Sequence, residues 1–239
     1  MGGLTGDLRA LAVSLAHEAG AQLLGSRPSG VGSKSTPTDL VTDADREAEK
    51  LIVDGILAAR PDDSVLAEEG SLHEGSSGVR WVIDPLDGTV NYVFGIPHWC
   101  VSIGVEGAVQ AGVIHDPSRG ETFTDEPGLV PSARTSLDQA MVGTGFSYSA
   151  AVRSRQAEVL RRVLPRVRDI RRGGSMALDL AWVACGRLDA FYEDDSHPWD
   201  VSAGIAVVEG AGACVRMHGS LVVAAGTEPL LAAVEALVR

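Results

Sequence analysis

The chain has 239 residues, 45% hydrophobic and 22% charged, enough for one large domain or two fused lobes. Its net charge of −12, with a pI near 4.9, argues against nucleic acid or an anionic membrane as the main partner. Cys100, Cys185 and Cys214 are widely spaced without metal-type pairing, and read as buried free thiols of a reducing compartment. No charged-then-apolar leader precedes Leu15 and no apolar run approaches the ~20 residues of a membrane helix, so the expected location is cytoplasmic, with no membrane partner.

From Asp7, the residues Leu8, Leu11, Leu15, Ala19 and Leu23 recur at helical spacing, and Gly25 closes the run. Residues 26–38 are rich in Ser, Pro, Gly and Thr and read as a loop with one cation, Lys34. A second helix is expected from about Thr42, with Ala48, Leu51, Ile52 and Ile56 inward, until Pro61 stops it. Thr42 with Asp45 fits a capping-box variant, so Asp45 has two readings: a cap for the first turn, or a functional carboxylate. Ser64 to Ala67 is a short strand, followed at once by Glu68-Glu69-Gly70.

Trp81-Val82-Ile83 is a β-favouring apolar run that ends on Asp84. Pro85 removes a backbone donor, Gly88 permits a turn, and the Leu86 carbonyl lies between Asp84 and Asp87. Several hard oxygens in one short loop suit Mg²⁺ better than a soft metal; an ordinary Asp-Pro, Asp-Gly turn is the plainer reading of the same residues. Cys100 to Val105 and Ala108 to His115 read as paired strands, and Glu121 to Thr124 as a continuation of the sheet. Residues 125–138, with Pro127, Gly128 and Pro131, look irregular. The expected organisation is therefore an N-terminal lobe over 1–128 and a C-terminal lobe over 129–239.

The second half alternates strands (Met141 to Thr144, Val167 to Arg171, Leu188 to Tyr192, Ala213 to Met217) with helices. Val152 to Val163 is a basic amphipathic helix; Ser175 caps an apolar helix through Ala184; Trp199-Asp200 opens another to Ala211; Glu228 to Val238 closes the chain. This pattern predicts a layered α/β architecture.

Asp45, Glu68, Asp84, Asp87 and Asp200 all stand at element ends, where a scaffold stops and a loop stays accessible. If they converge, pairs ~4 Å apart repel by about 4 kcal/mol at an effective dielectric near 20. Such a cluster needs bound cations or raised pKa values, and a cation-loaded pocket also attracts phosphate that bare acids would repel.

Asp84-Pro-Leu-Asp-Gly-Thr-Val-Asn91, Glu68-Glu69, Trp199-Asp200-Val-Ser-Ala-Gly204, Asp39-Leu-Val-Thr-Asp-Ala-Asp45 and Lys34 together resemble the signature motifs of the inositol monophosphatase family, in order and over nearly the whole chain. The resemblance implies an α-β-α-β-α sandwich of the sugar-phosphatase type and a cytoplasmic, lithium-sensitive phosphoric monoester hydrolase with two to three Mg²⁺ per site. It implies a first Mg²⁺ on Glu68, Asp84 and the Leu86 carbonyl, a second on Asp84, Asp87 and Asp200, and a looser third on Glu68 and water. Thr89, with Asp45 behind it, is implied to orient and deprotonate water. The same motifs imply that Gly88 and Thr89 present N–H groups to phosphate, and that Lys34 and Glu69 stand beside the ligands. Glu193 matches the position that meets an inositol hydroxyl, which favours a small polyol monophosphate; histidinol phosphate is the alternative substrate and a partner-binding role the alternative of another class. Asp194 and Asp195 depart from the family pattern, either as solvated acids or as contacts for a cationic substrate. Met176 stands where the family is usually small. A homodimer is compatible with the resemblance, although residues 120–138 are shorter than the usual hairpin region. On their own spacing, Glu69 reads as a solvated neighbour; His98, His115 and His197 as structural or surface residues; and Trp81, Trp99 and Trp199 as packing residues.

Overall fold

The computed structural model describes residues 2–34, 36 and 40–239, so Asp39 of the N-terminal motif lies outside the described residues. Helix α1 (Gly2–Gly25) starts earlier than its periodicity suggested and buries Leu8, Leu15, Ala19 and Leu23. A two-residue ribbon, β1 (Gly32–Ser33) antiparallel to β2 (Leu40–Val41), crosses the expected loop. Helix α2 (Asp43–Ala59) begins on Thr42, whose hydroxyl and backbone N–H close a capping box with Asp45.

Next come β3 (Ser64–Ala67), β4 (Leu72–His73), β5 (Val79–Asp87), the short helix α3 (Thr89–Val93), β6 (Cys100–Gly107), β7 (Ala111–Asp116) and β8 (Glu121–Thr124). These strands form a six-stranded sheet in the order β4-β3-β5-β6-β7-β8. The second half supplies β9 (Met141–Thr144), α4 (Ala150–Val163), β10 (Asp169–Arg171), α5 (Met176–Ala184), β11 (Ala190–Glu193), α6 (Pro198–Gly210), β12 (Cys214–His218), β13 (Leu221–Ala225) and α7 (Glu228–Val238). Its sheet runs β10-β9-β11-β13-β12.

Three buried clusters show how the layers stack. α1 and α2 cover one face of the six-stranded sheet with Leu8, Leu23, Ile52, Ile56, Trp81 and Ile103. α5 and α6 fill the space between the sheets with Leu178, Leu180, Val207 and Phe191. α7 and α4 close the outer face over Val142, Val223, Leu230 and Val234. The result is the α-β-α-β-α sandwich, with side chains of each apolar stripe removed from water by the next layer. The α5–α6 layer packs on strands of both sheets, while residues 125–140 connect them. α6 reaches β7 closely because Gly112 has no side chain: a Cβ there would lie 2.4 Å from the Ala203 carbonyl.

Several boundaries shift by one to three residues, as for β7, β10 and β11, because strand pairing rather than local propensity decides where a ladder begins. Strands β4 and β13 were not anticipated; β13 is an unbroken apolar Leu-Val-Val-Ala-Ala run, buried on both faces, which carries no alternation. Cys100 is buried, whereas Cys185 and Cys214 are only half-buried, and all three are free.

Candidate active site

Strand β5 delivers Asp84 and Asp87 to one mouth of the six-stranded sheet, with its pairing to β6 shifted between the two. The Asp84 carboxylate accepts the Leu86 N–H at 3.0 Å, which turns the chain. Gly88 follows at φ 98°, left-handed backbone that a side chain resists, and starts α3. Thr89 Oγ1 then lies 2.9 Å from Asp45 Oδ1 and 3.0 Å from the Leu86 carbonyl, and its single proton serves one of them at a time. The other Asp45 oxygen accepts Thr42 N–H at 2.9 Å and Thr42 Oγ–H at 2.5 Å. Asp45 therefore caps α2 and also accepts from Thr89.

Glu68 sits beside β5 because its N–H donates to the Ile83 carbonyl at 3.1 Å. Lys34 reaches over from the ribbon, its Nζ 2.7 Å from Glu68 and 2.5 Å from Glu69. Glu69 is therefore not a solvated neighbour: its side chain is 6% exposed, buried by the ion pair with Lys34. Beneath this turn, the buried Glu49 accepts the Glu69 N–H at 2.6 Å and the Ser71 N–H at 3.0 Å. Across the cleft, Asp87 accepts from Ser175 Oγ at 2.6 Å and from the Ala177 N–H at 2.7 Å, both at the start of α5. Asp200, in the first turn of α6, accepts the His197 N–H at 2.6 Å.

These groups line one cleft of about 450 Å³. Glu68, Asp84, Leu86, Asp87, Gly88, Thr89, Lys34, Glu193 and Asp200 all face it; Asp45 stands behind Thr89, and Glu69 behind Lys34. Burial pushes Asp84 well above the usual carboxylate range, and the Glu68 and Asp87 charges add to it. Burial likewise raises Asp87 to about 7, against the pull of the Ser175 hydroxyl, and raises Glu68 against the pull of Lys34. Glu69 is raised by burial to about 7. Burial alone would depress the Lys34 ammonium, but the carboxylates of Glu68 and Glu69 hold it above its ordinary value.

The donor set is carboxylates and one carbonyl, hard oxygens crowded at a loss to their own ionisation, and this chemistry fits a hard divalent cation. Among the described residues no three His, Cys, Asp or Glu side chains stand as a finished metal cage. The reason lies in their present partners: Glu68 is drawn to Lys34, Asp87 to the α5 terminus and Asp200 to the α6 terminus.

Glu193 ends β11 opposite Gly145, where a Cβ would sit 1.9 Å from its Oε2; only glycine leaves room for that carboxylate. Burial, with Asp179 and Asp200 nearby, holds Glu193 well above the usual range. Asp194 and Asp195 also line the cleft, Asp194 half-buried and Asp195 exposed to solvent; Asp194 accepts from Ser220 Oγ at 2.8 Å, and Asp195, at φ 74°, from Ser147 Oγ at 2.6 Å. Met176 is buried and lines the cleft. Trp81 and Trp99 pack in the core, but Trp199 lines the cleft, stacked on His197 with ring centroids 5.1 Å apart. His98 and His115 are buried away from it.

Glu49, Ser175, Gly145 and Arg172 are the site residues that sequence reasoning missed. Glu49 carried a signal, a charge beside the inward stripe of α2; the roles of the others depend on distant chain segments.

A profile of the inositol monophosphatase family matches residues 6–236. An inositol-1-monophosphatase of Mycobacterium leprae is 44% identical over 243 residues, covering 88% of this chain and 84% of that protein. A Nus factor SuhB of Xylella fastidiosa is 44% identical over 189 residues, 74% of this chain and 68% of that protein. The crystal structure of extragenic suppressor protein suhB from Bartonella henselae superposes with a TM-score of 0.90 at 34% identity, covering 98% of both chains. With the sandwich, the cleft and these matches in hand, the chain belongs to the inositol monophosphatase family.

Proposed function

We propose that this protein is an Mg²⁺-dependent phosphomonoesterase that hydrolyses inositol 1-phosphate, or a similar small polyol monophosphate, by direct attack of water. The observation that carries the reading is the Asp45–Thr89–Leu86 arrangement at the edge of the acid cluster. Glu68, Asp84, the Leu86 carbonyl, Asp87 and Asp200 would hold Mg²⁺, which would supply Lewis-acid charge to the phosphate and acidify water. Thr89 Oγ1 orients the attacking water and takes its proton while passing its own to Asp45 Oδ1; Thr42, donating to the other Asp45 oxygen, keeps that carboxylate aimed. Gly88 and Thr89 offer backbone N–H groups to the phosphate oxygens. Lys34 balances Glu68 and Glu69 beside the site. Glu193 accepts hydrogen bonds from the substrate's hydroxyls and disfavours a second phosphate.

Asp194 and Asp195 line the same cleft, each with one oxygen bonded to a serine hydroxyl and the other open, so a cationic substrate such as histidinol phosphate is the second reading. No helix among the described residues is long and apolar enough to cross a membrane. The test is a side-by-side rate comparison on inositol 1-phosphate, histidinol phosphate, fructose 1,6-bisphosphate and a 3′-phosphonucleotide. Inositol 1-phosphate is expected to be fastest, to need Mg²⁺ and to be inhibited by Li⁺; full turnover in excess EDTA refutes the reading.

A further inference from the structure

The net charge of −12 conceals a segregation. Residues 153–172 hold eight of the chain's 20 basic residues, all arginine, against Glu158 and Asp169, a local balance of +6 that leaves −18 for the rest. Arg161 pairs with Glu158 and Arg171 with Asp169. Arg172 belongs to the cleft, where its charge acts on Glu193 and Asp179; the other five, Arg153, Arg155, Arg162, Arg166 and Arg168, have no ion pair or side-chain hydrogen bond among the described residues. All but Arg153 are exposed. They follow one another along α4, the 3-10 turn Leu164–Arg166, and the residue that leads into β10, the edge strand of its sheet.

We propose that this α4–β10 surface binds single-stranded nucleic acid through its phosphates. Guanidinium forks match phosphate oxygens two at a time and their planes stack on unpaired bases, which lysines cannot do. A folded protein partner is disfavoured because arginine hot spots work beside Trp and Tyr anchors in desolvated pockets, and within residues 150–172 the exposed large apolar side chain is Leu164 alone, with no exposed aromatic ring. An anionic membrane is disfavoured because an inserting helix turns an apolar face outward, whereas α4 buries Gln156 and Val163 against its own domain. α4 packs along α7 and protrudes into no groove, so a flexible single strand suits the surface better than a duplex. The distant acids do not cancel the patch, since charges more than about 10 Å apart are screened at 0.1 M salt.

The test is fluorescence anisotropy of labelled 20-mer oligo(U) and oligo(dT) with the full chain between 50 and 200 mM salt. With about five phosphates neutralised, log affinity against log salt has a slope of about −3.5, a loss of roughly 100-fold over that range. The triple variant Arg162→Gln, Arg166→Gln, Arg168→Gln, clear of the cleft, is expected to more than halve that slope and bind at least about tenfold more weakly at 50 mM, with an unchanged melting curve. A control triple, Arg46→Gln, Arg80→Gln, Arg239→Gln, makes the same change of charge on other faces and is expected to keep the wild-type slope. Three results each overturn the proposal: no binding by wild type at 50 mM, equal losses in both triples, or tighter retention on phosphatidylserine vesicles than on either oligomer.

Discussion

Ser175 donates a 2.6 Å hydrogen bond to Asp87 across 88 residues of sequence, joining the N-terminus of a helix from one sheet's layer to the carboxylate that ends a strand of the other. The Ala177 N–H reinforces it at 2.7 Å, so one Asp87 oxygen is committed and the other is left for the cleft. Partners of this kind typically change metal affinity about 10- to 100-fold. Ser175→Ala is expected to weaken Mg²⁺ binding by about tenfold in calorimetry and also to lower the melting temperature, because it removes the cap that accepts the Leu178 N–H. Ser175→Gly keeps most of the cap's stability but loses the Asp87 contact. Weaker Mg²⁺ binding with a nearly native melt in that variant separates the two roles; unchanged binding in both variants removes Ser175 from the site.

Thr89 bridges Asp45 and the Leu86 carbonyl with one hydroxyl. Positioned proton transfer contributes about 10² to 10⁴ in rate. Thr89→Val should therefore lower kcat by at least about 100-fold, while Thr89→Ser, which keeps the oxygen, stays within about tenfold. Circular dichroism checks that the fold survives. Equal rates for the two variants would show that the hydroxyl does nothing in the reaction.

Glu193 and Gly145 make a matched pair, the carboxylate lying where a Gly145 side chain would be. A hydrogen bond to a charged group is worth about 1.5–3 kcal/mol, so Glu193→Gln is expected to cut kcat/KM for inositol 1-phosphate about tenfold or more. An aryl phosphate, which has no hydroxyl to offer, should be nearly unaffected. Gly145→Ala is expected to reproduce that selectivity by displacing Glu193. Equal losses on both substrates reject the polyol contact.

Far from the cleft, Arg9 clamps Asp125 with contacts of 2.8 and 2.6 Å, tying α1 to the end of the six-stranded sheet. Burial opposes ionisation of Asp125, but Arg9 and the Gly112 N–H outweigh it and lower its pKa. The folded state thus binds the proton more weakly than the unfolded chain. The clamp contributes fully above the unfolded carboxylate value of about 3.9 and is lost as pH falls through the lower folded value. Asp125→Asn should cost about 1 kcal/mol at neutral pH, allowing for solvent at the pair, and flatten the decline of stability below about pH 4. Melts from pH 2 to 7 check it; parallel curves for the two proteins contradict it.

Much of this site was legible in the sequence because its positions are locally marked. Asp84, Asp87 and Gly88 sit where a strand meets a turn, and Asp45 and Asp200 open helices, so residue type and element end coincide. The layers were legible for a similar reason, through the period of α1 and α2 and the alternation of the second half. What escaped are relations between distant segments. Nothing near Glu69 announces that Lys34 will cover it, and nothing near Asp194 announces Ser220. Strand β13 escaped because complete burial erases the two-residue period. The arginine stretch was visible as a basic amphipathic helix, but that its guanidinium groups stand exposed and mostly unpaired emerged only in the fold.

Asp45 gives one oxygen to the opening turn of α2 and the other to Thr89. A chain that loosens that turn by two or three residues keeps every layer of its interior and yet, on the proposed mechanism, loses its aim on water. Warming is therefore expected to silence the protein some degrees before any spectroscopic sign of collapse, and whatever tightens the first turn of α2 will widen the temperature range over which it works.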